Sequence, residues 1–412
     1  MLDTSQRKYT EPVVTNTRSY LDHNATAPLR PAAAQAMRAA MDTVGNPSSI
    51  HGEGRSARAI VERARAKVAA LVGAKPGAVI FTSGATEGAT YALTPHISVD
   101  GTERTAPRLY RPTTEHVCVL EGDRFPAHCV YPLAVDEHGR VTDRTLDALF
   151  DEHEDEYGPI FVAIQMVNSE TGVIQPVADV ARRVRLRGGF TLCDAVQAAG
   201  RIPLDIATLG VDFLMLSAHK IGGPAGVGAL VLAAENVLPA NLIHGGGQEM
   251  RRRGGTENVI GIAGFGAAAE AAVGEAHDVA RILELRDSTE AGIEAICDAN
   301  GWSEKLHFFG RGTERAANVA CFAVEGIEAQ TALIAFDLAG VALSSGSACS
   351  SGKVGVSHVL STMGVAEHVA RGALRVSYGW NSTEADRDAF LAAFDKILAR
   401  AKPVPTQLSG AA

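Results

Sequence analysis

FLMLSAHKIGGPAGVGALVL, residues 213–232, is the stretch on which the fold turns. Phe213 to Ser217 is a short apolar run of strand character. It breaks off at Ser217, and Lys220 follows almost directly. Glycines at 222, 223, 226 and 228 then crowd the chain. A lysine at the end of a buried strand, beside glycines that let backbone or ligand come close, is desolvated. Desolvation lowers its pKa and makes the amine nucleophilic, suited to a Schiff base. A surface lysine ahead of a turn would read the same way, so this stretch does not decide between them by itself.

Working outward, strand-like runs alternate with Ala-rich helical ones, the α/β signature. Strands are expected at Val79–Thr82, Ile160–Val167 and Phe190–Cys193, and helices at Arg55–Val72 and Val177–Arg187. One or two long helices are expected over Asn258–Asp298. Beyond them, strands Asn318–Val324, Ala342–Ser344 and Leu374–Ser377 mix with helices Ala329–Leu338 and Glu384–Ala401 as a separate layer.

The turns after these strands carry the chemistry. In CDAVQAAG, Asp194 directly follows a buried-looking strand, where a carboxylate is costly unless partnered. A protonated ring nitrogen would be such a partner, with Gln197 three residues on; an ordinary helix N-cap is the other reading. In TSGATEG, the Ser83–Thr86 turn leads from a strand into a helix. Backbone N–H groups and a hydroxyl at a helix start suit a phosphate, although an ordinary capped turn has the same form. The run matches neither a dinucleotide-binding nor a P-loop fingerprint. His116, in TTEHVCVL, is expected in a loop at a strand end. HGGGQEMRRRGGTEN, residues 244–258, is expected to be a loop that either binds an anion or is simply solvated.

Composition bounds the rest. The chain has 412 residues, 46% hydrophobic and 21% charged, with a formal net charge of −9. That charge argues against nucleic acid or an acidic membrane surface as partner. No apolar run is long enough to span a bilayer, and residues 1–19 read as a polar, frayed extension without a signal-peptide core. The six cysteines are scattered and form no CxxC pair, which favours free thiols in a reducing compartment and a cytoplasmic location. Cys349 stands apart, set in LSSGSACSSGKV among serines and glycines. Structural cysteines sit among apolar neighbours, so this one is expected to be displayed on a mobile loop.

A lysine, a strand-end aspartate, a phosphate-type helix start and a histidine on one α/β domain are the equipment of a pyridoxal phosphate enzyme. With them, the runs YLDHNATAPLRP, GNPSSIHGEGR, FTSGATE, VNSETGVIQP, HGGGQE, GGTENV and SSGSACSSGK follow in order from Tyr20 to about Trp380. In these the chain resembles the class V aminotransferase-like family, and most closely the cysteine desulfurases of the NifS/IscS type. The resemblance implies the fold type I pyridoxal 5'-phosphate-dependent transferase architecture. In that fold a large domain (30–273) carries a mixed, mostly parallel sheet, and a small α+β domain is built from residues 1–29 and 274–412. It also implies roles. Lys220 would hold the cofactor covalently, Asp194 would pair with its ring nitrogen, and Gln197 would reach its ring hydroxyl. His116 would stack on the ring and assist proton transfer. Ala85, Thr86, Ser217 and His219 would bind the phosphate, while Thr256 would reach the phosphate of a second subunit in a homodimer. Asn168 and Arg375 would hold the substrate carboxylate. Cys349 would accept sulfur from L-cysteine as a persulfide, leaving L-alanine, and pass it to a sulfur-acceptor protein such as an iron–sulfur scaffold. The chain departs from the family pattern at Gly88–Ala89–Thr90, Ser169, Gly222 and Met250, none of them a catalytic group. Three alternatives stand beside this reading: selenocysteine cleavage, another class V pyridoxal phosphate reaction such as transamination, and a non-catalytic sulfur-relay or scaffold role. No metal site is expected.

Overall fold

The computed structural model describes residues 18–152, 158–275, 278–346 and 355–401; Cys349 lies outside them. Its centre is a seven-stranded sheet. Across the sheet the strands run Val79–Thr82, Gly228–Leu232, Phe213–Ser217, Phe190–Asp194, Ile160–Gln165, Arg108–Pro112 and Val130–Leu133. Gly228–Leu232 is antiparallel to both of its neighbours, and the remaining pairs are parallel.

Strands covered on both faces read as continuous apolar runs, and here the two faces separate by alternation. Ile160, Val162, Ile164, Leu214 and Leu216 belong to one core, and Phe161, Ala163, Phe213 and Met215 to the other. Helices Gly52–Leu71 and Val259–Gly274 supply Val61, Ala64, Val68, Phe265, Ala268 and Ala269 to the first core.

A second layer follows the helix Val279–Ala299. Its three-stranded antiparallel sheet places Val319–Val324 between Leu306–Phe308 and Leu374–Ser377. The same period of two sorts its central strand. Ala320, Phe322 and Val324 face a core with Phe336, Tyr378, Phe390 and Phe394, while Cys321 and Ala323 face Val359, Leu360 and Met363. Residues from the beginning of the described chain join this layer. Ser19–Tyr20 pairs in parallel with Val341–Ala342, and Leu21 is buried in the Phe322 core.

Most expected elements form close to their expected ends. The strand expected over Ala342–Ser344 is shorter and shifted, at Val341–Ala342, with Ser344 making a separate bridge to Arg375. The 244–258 stretch is not a plain loop. Gln248–Arg251 form a 3-10 turn in which Glu249, Met250 and Arg251 all take the left-handed backbone. That turn is held from inside: Glu249 is buried and bonds Arg65 at 2.7 and 2.8 Å and the Phe81 N–H at 3.0 Å. Among the described residues no single helix is long and apolar enough to cross a membrane.

Candidate active site

The parallel strands share a direction, so their carboxyl ends share an edge, and ligand crevices in open α/β sheets form there. Thr82, Pro112, Gln165, Asp194 and Ser217 end five of these strands. The segments that follow them enclose a cavity of about 370 Å³. Ala85, Thr86, His116, Asp194, Gln197, Ser217, His219 and Lys220 all line it.

Lys220 ends a 3-10 turn, Ala218–Lys220, that continues directly from its strand. Its Nζ donates to the carbonyl oxygens of Asn24 at 2.7 Å and Ala25 at 2.8 Å. Asn24 is the hub of this wall, and sequence reasoning gave it no role. Its carbonyl also accepts from Gln197 Nε2 at 3.0 Å, and its side chain bonds the Ser169 carbonyl at 2.9 Å and Asn318 at 2.9 Å.

Asp194 is 7% exposed. Its Oδ1 accepts from the Val196 N–H at 2.9 Å, so it also caps its turn. Burial pushes its carboxyl up to about 6, against the opposing pull of that hydrogen bond and of Lys220. His116 lies in the loop after the strand Arg108–Pro112, as its last residue, and is the N-cap of a short helix, Val117–Leu120. Its Nδ1 faces the Cys118 N–H at 3.2 Å as acceptor, which puts the ring proton on Nε2. Burial, with the nearby Lys220 and His358, lowers His116 to about 4, so the ring is neutral near pH 7. His219 is lowered to about 4 by burial and Lys220, and its Nδ1 meets Thr26 Oγ1 at 3.2 Å.

At the far end of the cavity the helix Ala85–Ala92 begins at Gly84 without a side-chain cap. Gly228, on the antiparallel strand, lies so close behind this turn that a Cβ there would sit 2.6 Å from the Gly84 carbonyl carbon. The carboxylate of Glu87, in the first turn of this helix, is neutralised by Arg253 at 2.9 Å.

These groups fit pyridoxal phosphate. The uncapped helix start with Thr86, Ser217 and His219 suits a phosphate. A buried carboxylate held by a single short hydrogen bond suits a cationic ring nitrogen, and Lys220 faces the same space.

Three expected residues lie outside the cavity lining. Asn168 is buried, and its Oδ1 accepts from the N–H groups of Glu170 and Thr171, both at 2.9 Å. Its neighbour Ser169 faces the cavity instead. Arg375 is 4% exposed and forks between the Asp22 carboxylate at 2.8 Å and the Ser169 carbonyl at 3.0 Å. Thr256 lines a smaller cavity of about 160 Å³ that shares Ser83 and Gly226 with the first. Of the three arginines in the basic stretch, Arg253 pairs with Glu87 and Arg252 bonds the Gly77 carbonyl at 2.6 Å.

Beside this cavity, two buried carboxyl groups were not anticipated. Glu115 is fully buried, with Oε1 accepting from the Gln165 N–H at 2.7 Å and its carboxyl pushed well up by burial and by Asp194. Glu170 is 4% exposed. Cys118 lines the cavity as well, and burial raises its thiol pKa far above normal. The TEH and SET runs were in view, but nothing in either shows which side chain turns inward.

The family model for aminotransferase class-V matches residues 19–390. The IscS-like cysteine desulfurase of Mycobacterium tuberculosis (strain ATCC 25618 / H37Rv) is 38% identical over 95% of this chain and 99% of its own length. The cysteine desulfurase of Cereibacter sphaeroides is 37% identical over 92% of this chain and 96% of its own. Among solved structures, the NifS-like protein from Rickettsia africae ESF-5 superposes with a TM-score of 0.79 at 30% identity, covering 92% of this chain and 99% of that one. SspA in complex with cysteine superposes with a TM-score of 0.68 at 26% identity, covering 88% of this chain and 100% of that one.

Proposed function

The chain belongs to the class-V aminotransferase family and is a cysteine desulfurase; from that premise we propose that it binds pyridoxal phosphate at Lys220 and moves the sulfur of L-cysteine onto Cys349. One observation carries the reading: Lys220 and the buried carboxylate of Asp194 open into the same cavity from the ends of adjacent strands. When bound, the cofactor supplies the electron sink for cleavage at the amino acid. Everything else is done by residues of the chain.

Lys220 Nζ lies against two backbone carbonyls and, once the substrate amine has displaced it from the cofactor, would take the proton from Cα of the substrate. Asp194, held by the Val196 N–H, would set a negative charge against the ring nitrogen. Gln197 borders the same cavity for the ring hydroxyl. His116 is neutral with its proton on Nε2 and lines the same cavity, where it would stack on the ring and offer a donor for proton transfer. Thr86, Ser217, His219 and the Ala85 N–H line the cavity end that would hold the phosphate. Arg375, which donates to the carbonyl of the cavity-lining Ser169, would with Asn168 orient the substrate carboxylate from behind that wall. Cys349, as thiolate, attacks the substrate sulfur. The Cβ–S bond breaks as the new S–S bond forms, and protonation of the remaining three-carbon fragment gives alanine. The balance is cysteine plus enzyme thiol giving alanine plus enzyme persulfide, with no external oxidant.

The similar protein SspA, solved in complex with cysteine, supports the substrate. A homodimer is supported by the exposed Met41, Val44 and Ile50, at 60%, 80% and 90%, which a second copy would cover. Thr256, in its separate cavity, fits a reach toward that copy. The division into a large domain, 30–273, and a small one, 1–29 with 274–412, is supported by the separate cores around Phe161 and Phe322. The persulfide then serves a sulfur-acceptor protein.

The test is peptide mass spectrometry after adding L-cysteine without reductant. One extra sulfur on the peptide bearing Cys349 is the expected result. A protein that binds pyridoxal phosphate yet leaves Cys349 unmodified would refute the assignment of the acceptor.

A further inference from the structure

We infer that Glu170 is a positioning residue for sulfur transfer. Its buried carboxylate bonds Ser357 and packs against Gly346, the stems on either side of residues 347–354, and so links the Ser357 stem to the turn that borders the substrate cavity. This rests on the reading of Cys349 given above.

The geometry is specific to one oxygen. Ser357 Oγ donates to Glu170 Oε2 at 2.5 Å while accepting from the Leu360 N–H at 3.1 Å, so it also caps the helix His358–Thr362. On the other stem, a Cβ built on Gly346 would lie 2.1 Å from the same Oε2. A side chain there would have to push the carboxylate aside, so the glycine lets this stem lie against the oxygen that Ser357 bonds. Neither stem is loose elsewhere. Ser344 exchanges backbone hydrogen bonds with Arg375 at 2.7 and 3.3 Å, and His358 Nε2 meets the Glu115 carbonyl, beside His116, at 2.9 Å.

Glu170 is itself rigidly mounted. Its N–H is held by Asn168 Oδ1, and the preceding residue, Ser169, faces the cavity and accepts from Arg375. Successive residues of one turn therefore meet the substrate space on one side and the stems on the other. A buried carboxylate is expensive unless its hydrogen bonds are met, and Ser357 meets one of them. Fixing both ends of a segment reduces the volume its middle explores, and reaction rate depends steeply on where the nucleophile is held.

The experiment compares holoenzyme carrying Glu170→Ala, Glu170→Gln or Ser357→Ala with wild type. Single-turnover transfer of sulfur from L-cysteine to Cys349 is followed by peptide mass spectrometry. Without substrate, the rate of iodoacetamide labelling of Cys349 is measured against Cys129 as internal reference. Glu170→Ala is expected to slow transfer on the order of tenfold. It should hold cofactor absorbance and the KM for L-cysteine within about twofold, and change labelling of Cys349 but not of Cys129. Glu170→Gln, which can still accept from Ser357, should recover most of the rate. Ser357→Ala, a milder change that serves if Glu170→Ala fails to fold, should slow transfer roughly threefold. Wild-type transfer and labelling rates in Glu170→Ala would overturn the inference, as would a Gln variant as slow as Ala or a parallel loss of cofactor. Absence of added sulfur on wild-type Cys349 would instead overturn the assignment of the nucleophile, and the labelling comparison would still judge the pin.

Discussion

Asp194→Asn should stabilise the chain when it is free of cofactor and weaken it as an enzyme. The wild-type carboxyl is buried and raised from 3.8 to about 6. A rise of that size corresponds to about 3 kcal/mol by which burial penalises the ionised form. The sign follows from linkage. Between those two values the folded state binds more protons than the unfolded state, so stability falls as pH rises through the window. The full penalty applies above about pH 6 and vanishes below about 3.8. Asparagine removes the charge and keeps an oxygen to accept from the Val196 N–H, so its hydrogen bond at 2.9 Å survives. Urea unfolding of the cofactor-stripped variants at pH 7.5 should therefore show Asp194→Asn more stable, by up to about 3 kcal/mol. At pH 5 the gap should shrink to about half that. With pyridoxal phosphate present the order should reverse, because only the carboxylate answers a cationic ring nitrogen. An Asn variant less stable than wild type at pH 7.5, or a gap that ignores pH, would refute the burial argument.

Three further outcomes follow from the same geometry. Lys220→Ala should abolish the visible absorbance of the covalently held cofactor, and an unchanged spectrum would refute the assignment of the lysine. Gly228→Ala places a methyl 2.6 Å from both the Gly84 carbonyl carbon and the Leu216 oxygen. Overpacking of that kind costs about 1–3 kcal/mol, so a cofactor titration should read roughly 5- to 150-fold weaker binding if the Gly84 turn is what yields. His116 is lowered to about 4, so its titration contributes no inflection to the rate of sulfur transfer between pH 6 and 8. An inflection in that range which disappears in His116→Gln would show the ring to be protonating there.

Local sequence determined a good deal here. Apolar runs and small-residue turns located the strands, because strand burial and turn chemistry are written in neighbouring residues. They also put Lys220, Asp194, His116 and the Ser83–Thr86 turn at strand ends, and the parallel order of an α/β sheet then brings strand ends together. The identity of Cys349 as a cysteine set among serines and glycines is likewise a purely local fact. What only the tertiary structure decided is which groups meet across long stretches of chain. Lys220 is held by the Asn24 and Ala25 carbonyls, almost two hundred residues earlier. Arg375 is divided between Asp22 and Ser169, Glu249 is buried against Arg65, and Glu170 reaches both Gly346 and Ser357. Sequence patterning shows that a carboxylate is present; whether it faces water or closes on a distant hydroxyl depends on how two separate layers pack, and no local period encodes that.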